Sequence, residues 1–281
     1  MGSSPATARG LRELTAPEYV VLLSRGSTPA DGPVVRAALV ECVVRGLLRI
    51  ERRSGRGLFR PRDEWHLVPG HGDPPGTLAP VLAAVDAAPE VEDAEGRRGR
   101  TVASVVKALR EASDGAAYAD RHVLPALESA GYVVEVKPPR WFRTSRFALS
   151  TDGEAVAADG AERVAAARAA VEAIPSRGAP EEVREARSAA AGALGAAGVL
   201  VIAEKDLLAD AGEIRRALAE DGGSGGDATF LLLASGDTGS ADDAVRVGDM
   251  FDAADAGAFD AADGGGSGGG EGGDGGGGGG D

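Results

Sequence analysis

The sequence predicts a mainly α-helical protein with small β-hairpins: two winged-helix-like units, a helical section after them, and a disordered tail. Three observations carry that expectation. Alanine and leucine abound while aromatic residues make up only 4% of the chain, a composition that favours helix. An order of helix, helix, glycine and hairpin occurs twice in the first 150 residues. From Ala219 onward the chain turns into glycine and aspartate, which bury too little apolar surface to offset about 1–2 kcal/mol of backbone entropy per residue.

The first unit spans 11–70. Thr15-Ala16-Pro17-Glu18 is a capping box: Thr15 covers exposed amides, Glu18 reaches back, and proline is tolerated in a first turn. A second helix starts near Asp31 and Pro33 and places Val34, Val35, Ala38, Leu39, Cys42 and Val43 on one apolar stripe. Its outward positions are Arg36, Glu41 and Arg45. Gly46 stands where a left-handed residue would stop it. Leu47 to Arg52 then reads as a strand, Ser54 to Gly57 as a tight turn, and Leu58 to Leu67 as the returning strand.

The second unit spans 77–150. A helix carries Leu78, Val81, Leu82 and Val85, and the stretch Glu90 to Arg100 reads as a variable connection. A helix capped near Thr101 follows, with Val102, Val105, Val106 and Leu109 on its stripe. The next, from Ala119 to Ala130, contains Pro125, which interrupts a regular helix, and Gly131 ends it. Tyr132 to Val136 and Trp141 to Leu149 form the second hairpin around Pro138-Pro139. The run Val43 to Arg53 is thus answered by Leu127 to Lys137, weakly in identity but well in order.

The helical section spans 151–220. Thr151 to Glu154 is a second capping box opening a helix to about Ile174. Pro175 to Pro180 breaks the chain, and helices follow from Glu181 to Ala197 and from Asp206 to Ala219. The disordered acidic, glycine-rich tail is 221–281. Within it, Phe230 to Leu233 and Val245 to Phe259 are the segments able to form transient elements.

The formal net charge of −14 is not spread evenly. Residues 219–281 hold fourteen acidic side chains and one basic, Arg246, a net of −13; the other 218 residues carry thirty acidic and twenty-nine basic, a net of −1. The overall acidity therefore says nothing about the partner of the folded body. Cys42 stands alone, so no disulfide framework is expected and a reducing cytoplasm is the natural compartment. No amino-terminal segment resembles a signal peptide, and no apolar run reaches the ~20 residues that span a bilayer.

Catalytic, cofactor and metal signatures do not emerge. Cys42 lies on an apolar stripe with no local base, the setting of an inert buried thiol. His66, His71 and His122 lack the spacing of metal ligands. Gly192 to Gly198 has roughly the spacing of a dinucleotide-binding loop but follows a helix, so close packing and a helix stop explain it better. The expectation is a non-enzymatic protein without cofactor or metal.

The site-like feature is the second hairpin. Lys137, Arg140, Trp141, Arg143 and Arg146 gather four cations and a tryptophan within ten residues. Such a tip grips an anionic headgroup or a phosphate backbone, or is simply a solvated wing balanced by acids such as Glu135. Arg49, Arg52, Arg53, Arg56, Arg60 and Arg62 make the first hairpin cationic as well. Neither candidate base-reading helix carries Asn or Gln, the usual adenine readers, so a nucleic-acid role is the weaker expectation.

Two family resemblances follow from these residues. The order Leu14-Thr15-Ala16-Pro17-Glu18 with a helix ending Val43 to Ile50 resembles a bacterial group of uncharacterised conserved proteins. That group has two such units, a membrane segment and a glycine-rich carboxyl tail; the membrane segment has no counterpart here. Leu14–Leu23, Val43–Ile50, Val123–Val134 and Gly195–Val201 also resemble the Golgi-phosphoprotein type of phosphatidylinositol-4-phosphate-binding proteins. The first helix pair is joined more tightly than in that family, and the family's tail is not glycine-rich. The resemblance implies headgroup binding through the hairpin, with Arg140, Trp141 and Arg143 as candidates. The expected partners are an anionic membrane surface, reached from the cytoplasm as a peripheral protein, or another protein held by the acidic tail.

Overall fold

The computed structural model describes residues 14–24, 31–55, 62–92, 96–113, 117–136 and 146–220. The protein is mainly helical with small antiparallel sheets. In chain order the elements are α1 (Ala16–Leu23), α2 (Asp31–Val44), β1 (Leu48–Gly55), β2 (Arg62–Pro69), α3 (Ala79–Ala87), β3 (Val91–Glu92) and β4 (Arg98–Thr101). They continue with α4 (Val102–Ala112), a π-helical turn (Ala119–Val123) running into α5 (Leu124–Ala130), β5 (Val133–Val136) and β6 (Arg146–Leu149). The last are α6 (Thr151–Glu172), α7 (Pro180–Ala197), the single turn α8 (Leu200–Ala203) and α9 (Lys205–Glu220).

The repeat seen in the sequence recurs in the hydrogen bonds. At the end of α2, Gly46 N–H donates to the Val43 carbonyl and Leu47 N–H to that of Cys42. At the end of α5, Gly131 N–H donates to the Glu128 carbonyl and Tyr132 N–H to that of Leu127. Both are Schellman closures, and each needs the left-handed backbone that glycine adopts without a Cβ penalty, with φ of 70° at Gly46 and 83° at Gly131. The hairpins leave these turns in the same register. Leu48 pairs with Pro69 and Val133 with Leu149. The next amide closes each hairpin, Gly70 onto the Leu47 carbonyl and Ser150 onto that of Tyr132.

Where the two halves differ, the sequence had looked featureless. The stretch expected as a variable connection contains the β3–β4 hairpin, and β4 pairs antiparallel with β2, His66 opposite Thr101 and Leu67 opposite Arg100. A four-stranded sheet of order β1-β2-β4-β3 results, while β5 and β6 pair with each other as a separate two-stranded sheet. Gly99 permits the junction. A Cβ there would stand 2.7 Å from His66 Nδ1 and 2.8 Å from Arg53 Nη1, closer than real Cβ contacts come.

Pro125 lacks the N–H of a regular helix turn, and its ring crowds the carbonyl four residues back. The chain accommodates this by widening rather than breaking: Leu124 N–H donates to the Ala119 carbonyl, five residues earlier. At the start of α6 the cap is Ser150 and not Thr151. Its hydroxyl oxygen accepts from Gly153 N–H at 3.0 Å and its proton goes to the Gly131 carbonyl at 2.6 Å, tying α6 to the end of α5.

One apolar cluster runs from Leu14 to Ile214 and gathers residues from every part of the described chain. α1 packs against α2, α5, α6 and α8, and Leu200, Val201 and Ile202 of α8 are buried beside it. α9 contributes Leu207, Leu208, Ala211 and Ile214, the i, i+4, i+7 spacing of a helix with one face in the core. Gly198, at φ 58°, ends α7 as expected, whereas a Cβ at Gly192 would meet nothing, so close packing does not explain that glycine. Among the described residues no helix is long and apolar enough to cross a membrane.

Candidate functional site

The β5–β6 hairpin is built outward from a buried base. Val133 is buried opposite Leu149, and the pairing continues through Val134–Ala148, Glu135–Phe147 and Val136–Arg146. Alternation puts Val134 and Val136 on one face of the ribbon, and both are open to solvent, 47% and 45% exposed. Of the candidate residues, Arg146 opens β6 opposite Val136. Lys137, Arg140, Trp141 and Arg143 fall in 137–145, outside the described residues.

The first hairpin is less cationic than its sequence suggested. Arg49 is exposed, but Arg53 is buried and bound to Glu51, with Nε at 3.0 Å and Nη2 at 2.6 Å from Oε2. Residues i and i+2 of a strand share a face, and here that face turns toward His66 and Gly99. Arg53 therefore serves the sheet and leaves the solvent-facing basic set. Arg56 and Arg60 lie outside the described residues.

A buried polar network joins α1, α2, the start of α3 and the π-helical turn. Glu18 accepts both the Thr15 amide at 2.7 Å and the Thr15 hydroxyl at 2.8 Å. Since the single Thr15 hydroxyl proton is committed to Glu18, the 2.9 Å contact between the Thr15 and Thr77 hydroxyls makes Thr77 the donor. The Tyr118 hydroxyl in turn donates to the Thr77 carbonyl. Glu41 accepts Ala16 N–H on one oxygen and Arg45 Nε on the other, both at 2.7 Å. Burial raises the Glu41 carboxyl above its usual range, against the pull of the Ala16 amide and the Arg45 charge.

Glu41 thus corrects the outward position expected for it: its side chain is wholly buried. The same holds for α2 at large. Val34, Val35, Ala37, Ala38, Leu39, Val40, Cys42 and Val44 are all buried, so apolar residues surround the helix rather than striping it. The signal was present in the near-continuous apolar run, with Arg45 four residues after Glu41 as its natural ion-pair partner. Cys42 is a free, buried thiol, pushed well above its ordinary pKa by that burial.

The histidines occupy unlike places: His66 is buried in β2, His71 is exposed after that strand, and His122 meets Ser113 at 3.4 Å and the Tyr118 ring. Among the described residues no cluster of His, Cys, Asp or Glu is arranged to hold a metal ion.

A cleft of about 320 Å³ opens where α6, α7 and α9 meet, lined by Ile174, Arg187, Glu213, Ile214, Arg216 and Ala217. Sequence reading missed it because its residues come from three helices, each unremarkable alone. No known family model matches the chain, and no curated protein matches it.

Proposed function

We propose that the protein is a non-enzymatic binding protein that recognises anionic lipid headgroups through the β5–β6 hairpin, phosphoinositides above all. The observation that carries this reading is the exposure of Val134 and Val136 on the ribbon that leads into the cationic segment. Peripheral membrane binding needs an apolar surface and positive charge together. Lys137, Arg140, Arg143 and Arg146 supply up to about 1 kcal/mol each near an anionic leaflet, roughly 4 kcal/mol in all. That alone gives a partition constant of only about 10³, so the valines, Trp141 and Phe142 are needed to complete the affinity.

On this reading each helix–helix–hairpin succession is a winged-helix-like unit whose wing, not its second helix, meets the ligand, and the protein works at the cytoplasmic face of a membrane. Nucleic acid is disfavoured as partner by the helices that would have to enter a groove. α2 has almost no free face, and α5 with its preceding turn exposes Asp120 and Glu128 around Arg121, acids that repel a phosphate backbone.

Flotation with vesicles of neutral lipid, and of the same lipid carrying phosphatidylinositol phosphate, tests the proposal. Recovery in the floated fraction rises with the phosphoinositide and falls at least fivefold in Arg140→Ala/Arg143→Ala. Equal recovery on both vesicles, or an undiminished double variant, contradicts it. A steeply salt-dependent gel shift with duplex DNA at low salt, without flotation, points instead to nucleic acid.

A further inference from the structure

We infer that the cleft between α6, α7 and α9 is the docking site of a segment of the same chain, Phe230-Leu231-Leu232-Leu233. The cleft has an apolar part, Ile174, Ile214 and Ala217, and a charged rim of Arg187, Glu213 and Arg216. Its chemistry suits a short apolar peptide with carboxylates beside it. Residues 219–281 contain one run of that description: Phe230–Leu233 is their only stretch of four consecutive large apolar residues, with Asp227 and Asp237 flanking it. Every other large apolar residue there stands singly or as the pair Met250-Phe251. Four such residues left in water are an aggregation hazard unless something covers them.

Chain length places the occupant at the site. Ala217 lines the cleft, and α9 ends at Glu220, less than one helical turn later. Nine residues, Asp221 to Thr229, four of them glycine, then lead to Phe230. A glycine-rich linker of that length has a root-mean-square reach of roughly 17 Å, enough to fold back over the last turns of α9. Tethering at this span gives an effective concentration on the order of millimolar, so even a weak contact is substantially populated within one molecule. An external peptide of the same chemistry must compete with that tethered copy.

The test uses the full chain. Leu232→Cys is combined with Ile174→Cys at the cleft or with Ala103→Cys on the exposed side of α4, and disulfide formation is followed under mild oxidation. Cys42 is buried and does not compete. The Ile174 pair should close within the monomer at least tenfold faster than the Ala103 pair. Equal rates, no closure, or a bond only between chains overturns the proposal, the last assigning the cleft to a second copy. Hydrogen exchange gives an independent reading without new cysteines. In the native sequence the amides of 230–233 should exchange at least tenfold more slowly than the unstructured rate for the same residues, and lose that protection in Ile174→Asp. Unprotected exchange in the native protein, or protection unchanged by Ile174→Asp, overturns it.

Discussion

The carboxylate of Glu41, in the middle of α2, accepts the amide N–H of Ala16 at 2.7 Å and so satisfies the first turn of α1 from a neighbouring helix. The amino terminus of α1 is thereby closed twice, by its own Glu18 and by Glu41. This end of the helix is buried, and unsatisfied amides there would carry a full desolvation penalty.

Removing the Glu41 carboxylate strands the buried Ala16 amide and unpairs the part-exposed Arg45. Glu41→Ala leaves the Ala16 amide and the Arg45 guanidinium without acceptors and is expected to destabilise the protein by about 3 kcal/mol. Glu41→Gln keeps an acceptor for the amide and should lose about half as much. Urea unfolding monitored by circular dichroism measures both, and equal losses in the two variants would show that the amide bond is immaterial.

The same residue sets a pH dependence. Burial raises the Glu41 carboxyl above its ordinary 4.5 in the folded state, so the native protein holds a proton that the unfolded chain releases. The stability linked to that proton is present in full below pH 4.5 and is lost as pH rises from there through the raised value. The stability of the native sequence relative to Glu41→Gln should therefore decline over that window. A relative stability that increases with pH there would reverse the sign and contradict the burial of this carboxyl.

Gly99 joins the two halves of the four-stranded sheet, and Gly99→Ala forces a Cβ against His66 and Arg53. A loss of about 1–3 kcal/mol follows from overpacking of this kind. Faster hydrogen exchange should accompany it in β2 and β4 while β5 and β6 keep their protection. Uniform acceleration across the molecule would instead mean that the contact is not local.

The paired helix stops allow a cleaner conformational test. A Cβ at Gly131 would meet nothing within 4 Å, so Gly131→Ala measures only the left-handed backbone, at about 1–2 kcal/mol. Gly131→Asn should cost less, because Asn visits that region more readily. Thermal or urea unfolding ranks the three residues, and alanine no worse than asparagine would remove the explanation.

Much of this architecture was legible in the chain. Thr15 with Glu18, Gly46 and Gly131 announce themselves because caps and stops are local chemistry, set within a few residues. The apolar stripe of α4 and the extent of α9 were equally plain. What stayed hidden depends on distant partners. β4 is Arg-Gly-Arg-Thr, with no apolar alternation, and exists as a strand because β2 offers it an edge. Glu41 and Arg53 look like surface charges until the fold supplies Ala16 and Glu51. The hairpin candidates were the most conspicuous residues in the sequence, yet only Arg146 falls among those described, so its ligand rests on the exposed valines and the charge pattern.

Tryptophan emission locates the hairpin's contact with the membrane rather than only detecting binding. In Trp65→Phe protein the sole remaining tryptophan is Trp141. Vesicles carrying phosphatidylinositol phosphate should shift its emission to shorter wavelength as the ring leaves water, and neutral vesicles should not. An unshifted spectrum from protein that floats with the anionic vesicles, or an equal shift on neutral ones, would contradict headgroup recognition by this hairpin.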